Sequence, residues 1–309
     1  MTVNPSKKTL IIVTGPTAGG KTSLSIDLAE HFGAEIISAD SRQIYRGIEI
    51  ITAAPTPDER RRVRHHLTGF LDLDQYYSAA LFEQDVNRLL PQLWHDSDYA
   101  VMAGGSMMYI DAAVHGFDEL PTVSDTIRSR VLQIYNDGGL EAVTDMLRRF
   151  DPAYLSRVDL KNPRRVIHAV EISLEAGVPY SSLLKGNKAQ RPYNIVKLAI
   201  DRPRAQLFDR INRRVDSMIE NGAEKEARRV YHLRHLNSLN TVGFKELFAM
   251  FDGLMDRQTA ISRMAKNTRV YAKKQMTWLA RDTSLMRLDA TSGTSLTEQA
   301  LNAINKAIS

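Results

Sequence analysis

A glycine-rich segment near the amino terminus constrains the fold of this chain more than any other feature. Residues Gly15–Thr22 follow the pattern GxxxxGKT, directly after the apolar run Leu10–Val13 and directly before an amphipathic segment, Thr22–His31. A strand, a glycine-rich loop and a helix start in this order form a site whose backbone N–H groups wrap a diphosphate. Glycine permits the φ values and the close backbone approach that such a loop needs. The pattern therefore predicts an α/β fold that binds a phosphorylated ligand.

Every residue of this loop is a candidate for diphosphate binding: Gly15, Pro16, Thr17, Ala18, Gly19, Gly20, Lys21 and Thr22. We expect Lys21 to reach the outer phosphate and the Thr22 hydroxyl to ligate Mg²⁺. The alternative is a glycine-rich turn that matches the pattern by chance. The strand before the loop and the helix after it disfavour that alternative.

Further strand-like segments indicate that the loop belongs to a parallel sheet. Glu35–Ala39 and Tyr99–Ala103 each precede a helix-like segment, as Leu10–Thr14 does. This spacing is typical of βαβ units. Ile195–Ile200 and Met286–Asp289 are later strand candidates.

The segment between the early and the late strands has a different pattern. From about residue 116 to residue 191 it indicates helices joined by polar turns, for example Asp125–Asn136, Leu140–Phe150 and Pro163–Ala176. We therefore predict an α/β fold with a P-loop parallel-sheet core and an inserted helical domain. The predicted parts are residues 1–115 (core, first part), 116–194 (helical insertion) and 195–309 (core, second part, with basic C-terminal helices).

The composition excludes several classes of protein. The chain of 309 residues has no cysteine, which excludes disulfides, thiolate metal sites and a thiol nucleophile. No apolar run approaches the ~20 residues needed to span a bilayer, and the polar segment Met1–Lys8 does not have the pattern of a signal peptide. These features predict a cytoplasmic enzyme without membrane contact.

Positive charge is concentrated in the last third of the chain. Residues 201–282 contain 17 Lys/Arg against 10 Asp/Glu, whereas residues 1–200 contain 22 against 24. Within this region Lys266, Arg269 and Lys273 share one face of an amphipathic segment, Ile261–Leu279. The excess indicates a polyanionic partner. A solvated helical surface explains the charge equally well.

Two polar side chains follow strand candidates at the edge where the glycine-rich loop is expected. Parallel strands point their carboxyl ends into one crevice, so Asp40 and Ser106 are expected near the bound phosphates. Asp40 suits a general base or a water-mediated Mg²⁺ ligand, and equally the N-cap of a helix. Ser106 ends Ala103–Ser106, which suits close ligand approach or a plain turn.

Some motifs are absent or unsuited to other chemistry. The chain has no Asn-Lys-x-Asp motif, which argues against a GTPase, and the strand that ends at Ala103 has no terminal acid. Group transfer is therefore favoured over hydrolysis-driven work. The adjacent His65 and His66 lack a matching ligand set nearby, which disfavours a zinc site.

The order and spacing of these motifs resemble the tRNA dimethylallyltransferase (tRNA isopentenyltransferase) family from end to end. The matching segments are Gly15–Thr22 (GPTAGGKT), Asp40–Tyr45 (DSRQIY), His65–Leu67 (HHL), Gly104–Tyr109 (GGSMMY), Asn162–Ile172 (NPRRVIHAVEI), Val242–Leu247 (VGFKEL) and Thr268–Leu279 (TRVYAKKQMTWL). The first motif is common to many proteins, but the set is specific.

The resemblance implies transfer of the dimethylallyl group of dimethylallyl diphosphate to the exocyclic N6 of an adenosine. That adenosine lies 3′ of the anticodon in tRNAs that read codons beginning with U. Asp40 would accept the proton of the amine, and Lys21, Arg214, Ser106 and Mg²⁺ would act with it. Thr22 and Asp40 are the implied Mg²⁺ ligands. The protein is expected to be a monomer.

The resemblance also implies contacts with the tRNA anticodon stem-loop, partly in the helical insertion. The implied residues are Asp40, Ser41, Arg42, Gln43, Ser106, Arg128, Arg164, Arg165, Val166, Ile167, His168, Val242, Gly243, Phe244 and Lys245.

Two other functions stay open. One is an ATP-dependent small-molecule kinase, a common task of a short P-loop chain. The other is a divergent RNA-binding paralogue with weak catalysis. The second is suggested by Ile51, Ala54 and Met107, which stand where the family usually has glycine, lysine and glycine.

Overall fold

The computed structural model describes residues 8–118, 120–184, 186 and 189–308. The polar start of the chain, residues 1–7, lies outside the described residues. By its internal contacts the chain divides into two compact units, Met1–His115 with Gln190–Ser309, and Gly116–Ala189.

The second boundary falls at residue 189, before the predicted residue 194. Arg191 explains this correction, because its guanidinium donates to the carbonyls of Ala112 and Ala113 and pairs with Glu83 at 2.7 Å. All three partners belong to the first unit. Asn194 then begins a strand of the sheet.

The first unit is built on a parallel sheet of six strands among the described residues, in the order β3-β2-β4-β1-β5-β6. The strands are β1 (Thr9–Thr14), β2 (Ile36–Ala39), β3 (His65–His66), β4 (Tyr99–Gly104), β5 (Asn194–Asp201) and β6 (Met286–Asp289). The predicted α/β fold with a parallel sheet is confirmed, and the five predicted strands are found within one residue of their expected ends. The strand β3 was not predicted.

Fourteen helices lie among the described residues. They are α1 (Lys21–Phe32), α2 (Glu49–Thr52), α3 (Pro57–Arg62), α4 (Ala79–Asp96), α5 (Met107–His115), α6 (Asp125–Phe150), α7 (Pro152–Leu155), α8 (Pro163–Ala176), α9 (Tyr180–Leu183), α10 (Arg204–Glu220), α11 (Ala223–Val230), α12 (Phe244–Phe251), α13 (Arg257–Leu279) and α14 (Leu296–Ile308). Two short 3₁₀ turns, Tyr231–Leu233 and Asn237–Leu239, separate α11 from α12.

The central strand β1 is buried on both faces. Leu10 and Ile12 belong to the apolar cluster that includes Phe82 of α4, whereas Ile11 belongs to the cluster that includes Leu28 of α1. Successive side chains of a strand point to opposite faces, and a parallel sheet covered on both faces needs such a continuous apolar run. The carboxyl end of β1, where the glycine-rich loop begins, is therefore supported by packed side chains on both faces of the sheet.

The second unit has a core of its own. Val131 and Val143 of α6 pack with Val166 and Val170 of α8. The two helices predicted at this position form α6, which is interrupted at Gly139, where φ is 66° and ψ is −165°. A positive φ is readily available to glycine, so the direction of α6 changes there.

Candidate active site

The carboxyl ends of three neighbouring strands surround one cavity of about 300 Å³. The glycine loop (Gly15–Thr22) follows β1, and Asp40 follows β2. Lys21, Asp40 and Arg214 line this cavity, which we call the phosphate cavity. Three chain segments that are far apart in sequence therefore present charged groups to one space.

Cationic side chains hold the carbonyl groups of the glycine loop. The Lys21 ammonium donates to the carbonyls of Gly15 and Pro16, both at 3.0 Å. Arg210 donates through Nε to the Ala18 carbonyl at 2.7 Å. Through these bonds the carbonyl oxygens of the loop face cations. A bound anion would otherwise occupy the same cations.

Some backbone amides of the glycine loop already have protein partners. The Thr17 N–H donates to Oε1 of Gln275 at 2.8 Å, and the Gly19 N–H donates to the Pro16 carbonyl at 3.0 Å. Gly20, with φ of 112°, precedes α1, and the first N–H groups of a helix have no intrahelical acceptor. An anion in the cavity would therefore meet free amides at the start of α1, whereas to bind the Thr17 and Gly19 amides it would have to draw them away from their protein partners.

Cations outnumber carboxylates in the lining of the cavity, with Lys21, Arg210 and Arg214 against Asp40 and Glu59. Burial, and then the positive charge of Arg214, lowers the pKa of Lys21 to about 8, while Asp40 opposes the shift. Burial also lowers the pKa of Arg214. Among the described residues the Arg214 guanidinium makes no hydrogen bond or ion pair. Two desolvated cations without a paired carboxylate are suited to bind a polyanion.

Asp40 holds the turn that it begins. Its Oδ1 accepts the N–H groups of Arg42 at 2.9 Å and Gln43 at 3.4 Å. The expected helix N-cap is wrong, because residues 41–44 form a turn and no helix follows Asp40 directly. Oδ2 makes no hydrogen bond within the described part of the chain. One carboxylate oxygen is therefore structural and the other is available for chemistry.

Gln43 fixes the part of the cavity wall that is formed by the end of α2, through contacts with the backbone. Its Nε2 donates to the carbonyls of Thr52 at 3.1 Å and Ala53 at 2.9 Å, and its Oε1 accepts from the Ser38 hydroxyl at 3.2 Å. The end of α2 is thereby tied to the end of β2.

A buried carboxylate holds the other end of the same wall. Glu226 of α11 accepts the N–H groups of Ile50 at 2.9 Å and Ile51 at 2.8 Å. Burial raises the pKa of Glu226. Ile51 is buried, and a Cβ placed on Gly243 would lie 2.5 Å from its Cγ2. The side chain at position 51 therefore packs into the space that a glycine at position 243 leaves.

The loop after β4 lies directly against the loop that carries Asp40. A Cβ on Gly104 would lie 2.1 Å from the Ala39 carbonyl oxygen, so only glycine fits there. The Ser106 N–H donates to the same carbonyl at 3.1 Å, and Oγ of Ser106 accepts the Ser41 N–H at 2.8 Å. Ser106 thus contacts the backbone beside Asp40.

Two site residues of α13 were not predicted. Gln275 bridges Thr17 and the Gly105 carbonyl, and Tyr271 lines the phosphate cavity and donates to the same carbonyl at 3.5 Å. Both lie in the motif Thr268–Leu279, but residue type gives no signal for a contact with loops so distant in sequence. The predicted face of Lys266, Arg269 and Lys273 lies on α13 as expected.

The residues expected to contact RNA differ in their accessibility. Val166 and Phe244 have fully buried side chains, so a contact with tRNA at these positions would have to use the backbone, and it stays a prediction. Both belong to cores, where apolar side chains gain most stability. Val242 and Ile167 are half-buried. The side chains of this set that are exposed are those of Arg128, Arg164, Arg165, His168 and Lys245.

Arg42, also expected to contact RNA, has its guanidinium engaged by the protein. It donates through Nη1 to the carbonyls of Asn237 at 2.8 Å and Ser238 at 3.3 Å. These bonds fix the turn after Asp40 to the segment between α11 and α12. Its contact with RNA stays a prediction.

The cavity offers oxygen and nitrogen donors to a divalent cation that is carried by phosphates. Thr22 and Asp40, the expected Mg²⁺ ligands, both line it, and Nε2 of His65 is buried without a hydrogen-bond partner. The described residues contain no group of three or more His, Cys, Asp or Glu side chains that could hold a metal. Mg²⁺ suits such a site, because it is often bound by few protein ligands together with phosphate oxygens and water.

The two adjacent histidines of β3 have different partners. His65 contacts the Val63 carbonyl through Nδ1 at 2.8 Å, which assigns the proton to Nδ1 and leaves Nε2 as an acceptor. His66 pairs with Glu35. Consecutive strand residues point to opposite faces, so the pair cannot chelate one metal ion.

A second cavity, of about 820 Å³, adjoins the phosphate cavity. It shares Arg210 and Arg214 with the phosphate cavity, and Ala54 and Met218 contribute to its lining. Both cavities therefore have arginine side chains in their lining. In the described ranges, no helix has the length and apolar character needed to cross a bilayer.

The IPP transferase family model matches residues 43–282. The chain belongs to the IPP transferase family. The matched residues include Gln43, Ser106, Arg214 and Gln275, whereas the glycine loop and Asp40 precede the matched range.

Individual relatives support this membership. The chain is 51% identical over 274 residues to tRNA dimethylallyltransferase 1 of Bacteroides thetaiotaomicron, covering 89% of both chains. It is 50% identical over 273 residues to tRNA dimethylallyltransferase 2 of Parabacteroides distasonis, covering 88% of this chain and 91% of the relative.

Solved structures of this family have the same fold. The tRNA isopentenylpyrophosphate transferase of Bacillus halodurans superposes with a TM-score of 0.70 at 32% identity, covering 97% of this chain and 95% of the other. A eukaryotic dimethylallyltransferase acting on tRNA superposes with a TM-score of 0.80 at 26% identity, covering 97% and 78%.

Proposed function

We propose that this member of the IPP transferase family transfers a dimethylallyl group from dimethylallyl diphosphate to N6 of an adenosine in tRNA. The observation that carries the proposal is the placement of Lys21, the unpaired Arg214 and the half-engaged carboxylate of Asp40 around one cavity. Cations for a leaving diphosphate and a base for an amine are the two requirements of this reaction.

The donor diphosphate binds to the glycine loop. The amides at the start of α1, the Lys21 ammonium and the Arg214 guanidinium hold its oxygens, and Thr22, together with Asp40 through water, would hold Mg²⁺. When bound, Mg²⁺ neutralises part of the charge of the diphosphate. Preorganised cations and amides stabilise the charge that develops as the C–O bond breaks, and removing one such donor typically costs ~3 kcal/mol.

The acceptor adenine lies against Asp40. A C–N bond forms between N6 and the dimethylallyl carbon while the bond from that carbon to the diphosphate oxygen breaks. Oδ2 of Asp40 accepts the proton that N6 loses. The base must leave its stack to reach the carbon, which costs a few kcal/mol. The hydrogen bond between Ser106 and Ser41 holds the backbone next to Asp40 in place.

The adenosine that we propose as acceptor lies 3′ of the anticodon in tRNAs reading codons that begin with U. The exposed Arg128, Arg164, Arg165 and His168 of the helical unit, together with Lys245, bind the phosphates and bases of the anticodon stem-loop. We also propose that the protein is a monomer and acts in the cytoplasm.

The test is transfer of labelled dimethylallyl from its diphosphate to an anticodon stem-loop in the presence of Mg²⁺. A matched RNA with guanosine in place of the adenosine 3′ of the anticodon is the control, because it lacks the N6 amine. Product with the first RNA alone supports the proposal. Absence of product with both at high enzyme concentration overturns it. Consumption of ATP with a small acceptor and without RNA would favour the kinase alternative instead.

A further inference from the structure

We propose that Gln275 couples the glycine loop to the loop that carries Asp40, so that a diphosphate bound to the first orders the second. Gln275 is a positioning residue in this role, since it acts through backbone groups of both loops. The inference rests on the proposed function, which gives the two loops their substrates, but its test does not require RNA.

The side chain of Gln275 is only 2% exposed and both ends of its amide are used. Oε1 accepts the Thr17 N–H at 2.8 Å, and Nε2 donates to the Gly105 carbonyl at 3.0 Å. One planar group on α13 thus joins the loop after β1 to the loop after β4.

The connection continues from Gly105 to Asp40 through the next residue. The Ser106 N–H donates to the Ala39 carbonyl, and Oγ of Ser106 accepts the Ser41 N–H. Ala39 and Ser41 are the two neighbours of Asp40 in the chain. Hydrogen bonds, joined through the peptide between Gly105 and Ser106, therefore connect the glycine loop with both chain neighbours of Asp40.

The surroundings of Gln275 make the bridge stiff. A Cβ on Gly105 would lie 2.3 Å from Nε2, so the backbone of Gly105 packs tightly against the amide. The two ends of a carboxamide have opposite polarity, and an unpaired buried polar group costs about 1–3 kcal/mol. If a bound diphosphate shifts the backbone amide of Thr17, the Gln275 side chain must move with it to keep its hydrogen bond. Gly105 must then move with Gln275.

Hydrogen exchange of the segment 38–45, measured by mass spectrometry with and without Mg²⁺ and inorganic diphosphate, tests this proposal. In the wild-type protein we expect diphosphate to slow exchange in this segment by about fivefold or more, a typical size for coupling between sites. In the Gln275→Met variant, which keeps the length of the side chain and loses both hydrogen bonds, we expect a change of less than about twofold.

Gln299→Met is the matched control. Gln299 also bridges backbone groups through both ends of its amide, accepting from the N–H of Asp289 and donating to the carbonyls of Asp289 and Thr294. It contacts neither loop of the site. We expect this variant to retain the wild-type response of segment 38–45.

A second variant separates the two bonds of Gln275. Gln275→Glu keeps the acceptor for Thr17 and loses the donor to Gly105, so the response should also be lost. The proposal is overturned if diphosphate does not slow exchange in the wild-type segment, or if a folded Gln275 variant responds as the wild type does. Failure of the proposed function appears separately, as absence of product with the anticodon stem-loop.

Discussion

The carboxylate of Asp40 accepts the backbone N–H of Arg42, two residues further along the chain, at 2.9 Å. This bond engages Oδ1 alone. The shape of the turn and the basicity of the site therefore depend on different oxygens of one side chain, and substitutions can separate them.

Asp40→Asn should leave the turn intact and remove the base. The amide oxygen can still accept the N–H of Arg42, but Oδ2 is replaced by an NH₂ group that cannot take a proton. We expect kcat for dimethylallyl transfer to fall about 100-fold or more, with a melting temperature close to that of the wild type. Asp40→Ala should lose both rate and stability. Equal rates for wild type and Asp40→Asn would assign Asp40 a structural role alone.

Diphosphate binding should weaken above about pH 8, the pKa of Lys21 in the free protein. A bound anion favours the ammonium form, so binding above this pH requires uptake of a proton. Affinity is then expected to fall by up to about tenfold per pH unit, as titration calorimetry with inorganic diphosphate can measure. Lys21→Arg should remove this dependence, since arginine stays charged. A flat wild-type profile to about pH 10 would contradict a lowered pKa.

Arg214→Gln should reduce the rate more than its neighbour Arg213→Gln. Arg214 is a desolvated cation of the phosphate cavity, whereas Arg213 is exposed and pairs with Asp209. We expect a loss of about 100-fold for Arg214→Gln in kcat/KM for the diphosphate donor and a loss below about threefold for Arg213→Gln. Similar losses in both variants would indicate a general effect of charge on the surface of α10.

Gly104→Ala should destabilise the fold, because its Cβ would lie 2.1 Å from the Ala39 carbonyl oxygen. The strands β2 and β4 would have to separate locally, at a cost of about 1–3 kcal/mol or more. Gly293→Ala is the control, since its Cβ would meet open space. Chemical denaturation of both variants measures the difference. An unchanged free energy of unfolding for Gly104→Ala would mean that this contact relaxes freely.

Binding of the anticodon stem-loop should weaken with salt, because phosphate contacts release counterions. Arg164→Gln and Arg165→Gln are each expected to reduce the slope of log K against log salt concentration by about one. Arg61→Gln, an exposed arginine that pairs with Asp58, should leave the slope unchanged. A uniform slope for all variants would place the RNA elsewhere on the protein.

The elements that sequence predicted best are those with strong local signals. The helix α8 is found at the predicted Pro163–Ala176, with proline in its first turn and Gly177 in the left-handed conformation after it. Proline and glycine at these positions act through the backbone itself, independently of tertiary contacts. The glycine loop is equally local, since a strand, a turn and a helix start follow each other directly.

The features that sequence did not predict depend on contacts between distant segments. The strand β3 has two residues and is held by its pairing with β2. Gln275 is separated from Thr17 by most of the chain. Val166 and Phe244 lie in motifs with basic residues, yet helical packing directs their side chains into cores. Pattern alone cannot distinguish a residue that contacts a ligand from one that supports its neighbour.

The segment from Ile50 to Ala53 is anchored at both ends by main-chain groups, through Glu226 and Gln43. A wall held in this way keeps its shape when its own side chains change. Ile51 and Ala54 could therefore diverge from the usual residues of the family without moving the carbonyls that orient Gln43. The lining of this part of the site can therefore change in charge and size while Glu226 and Gln43 still hold its backbone.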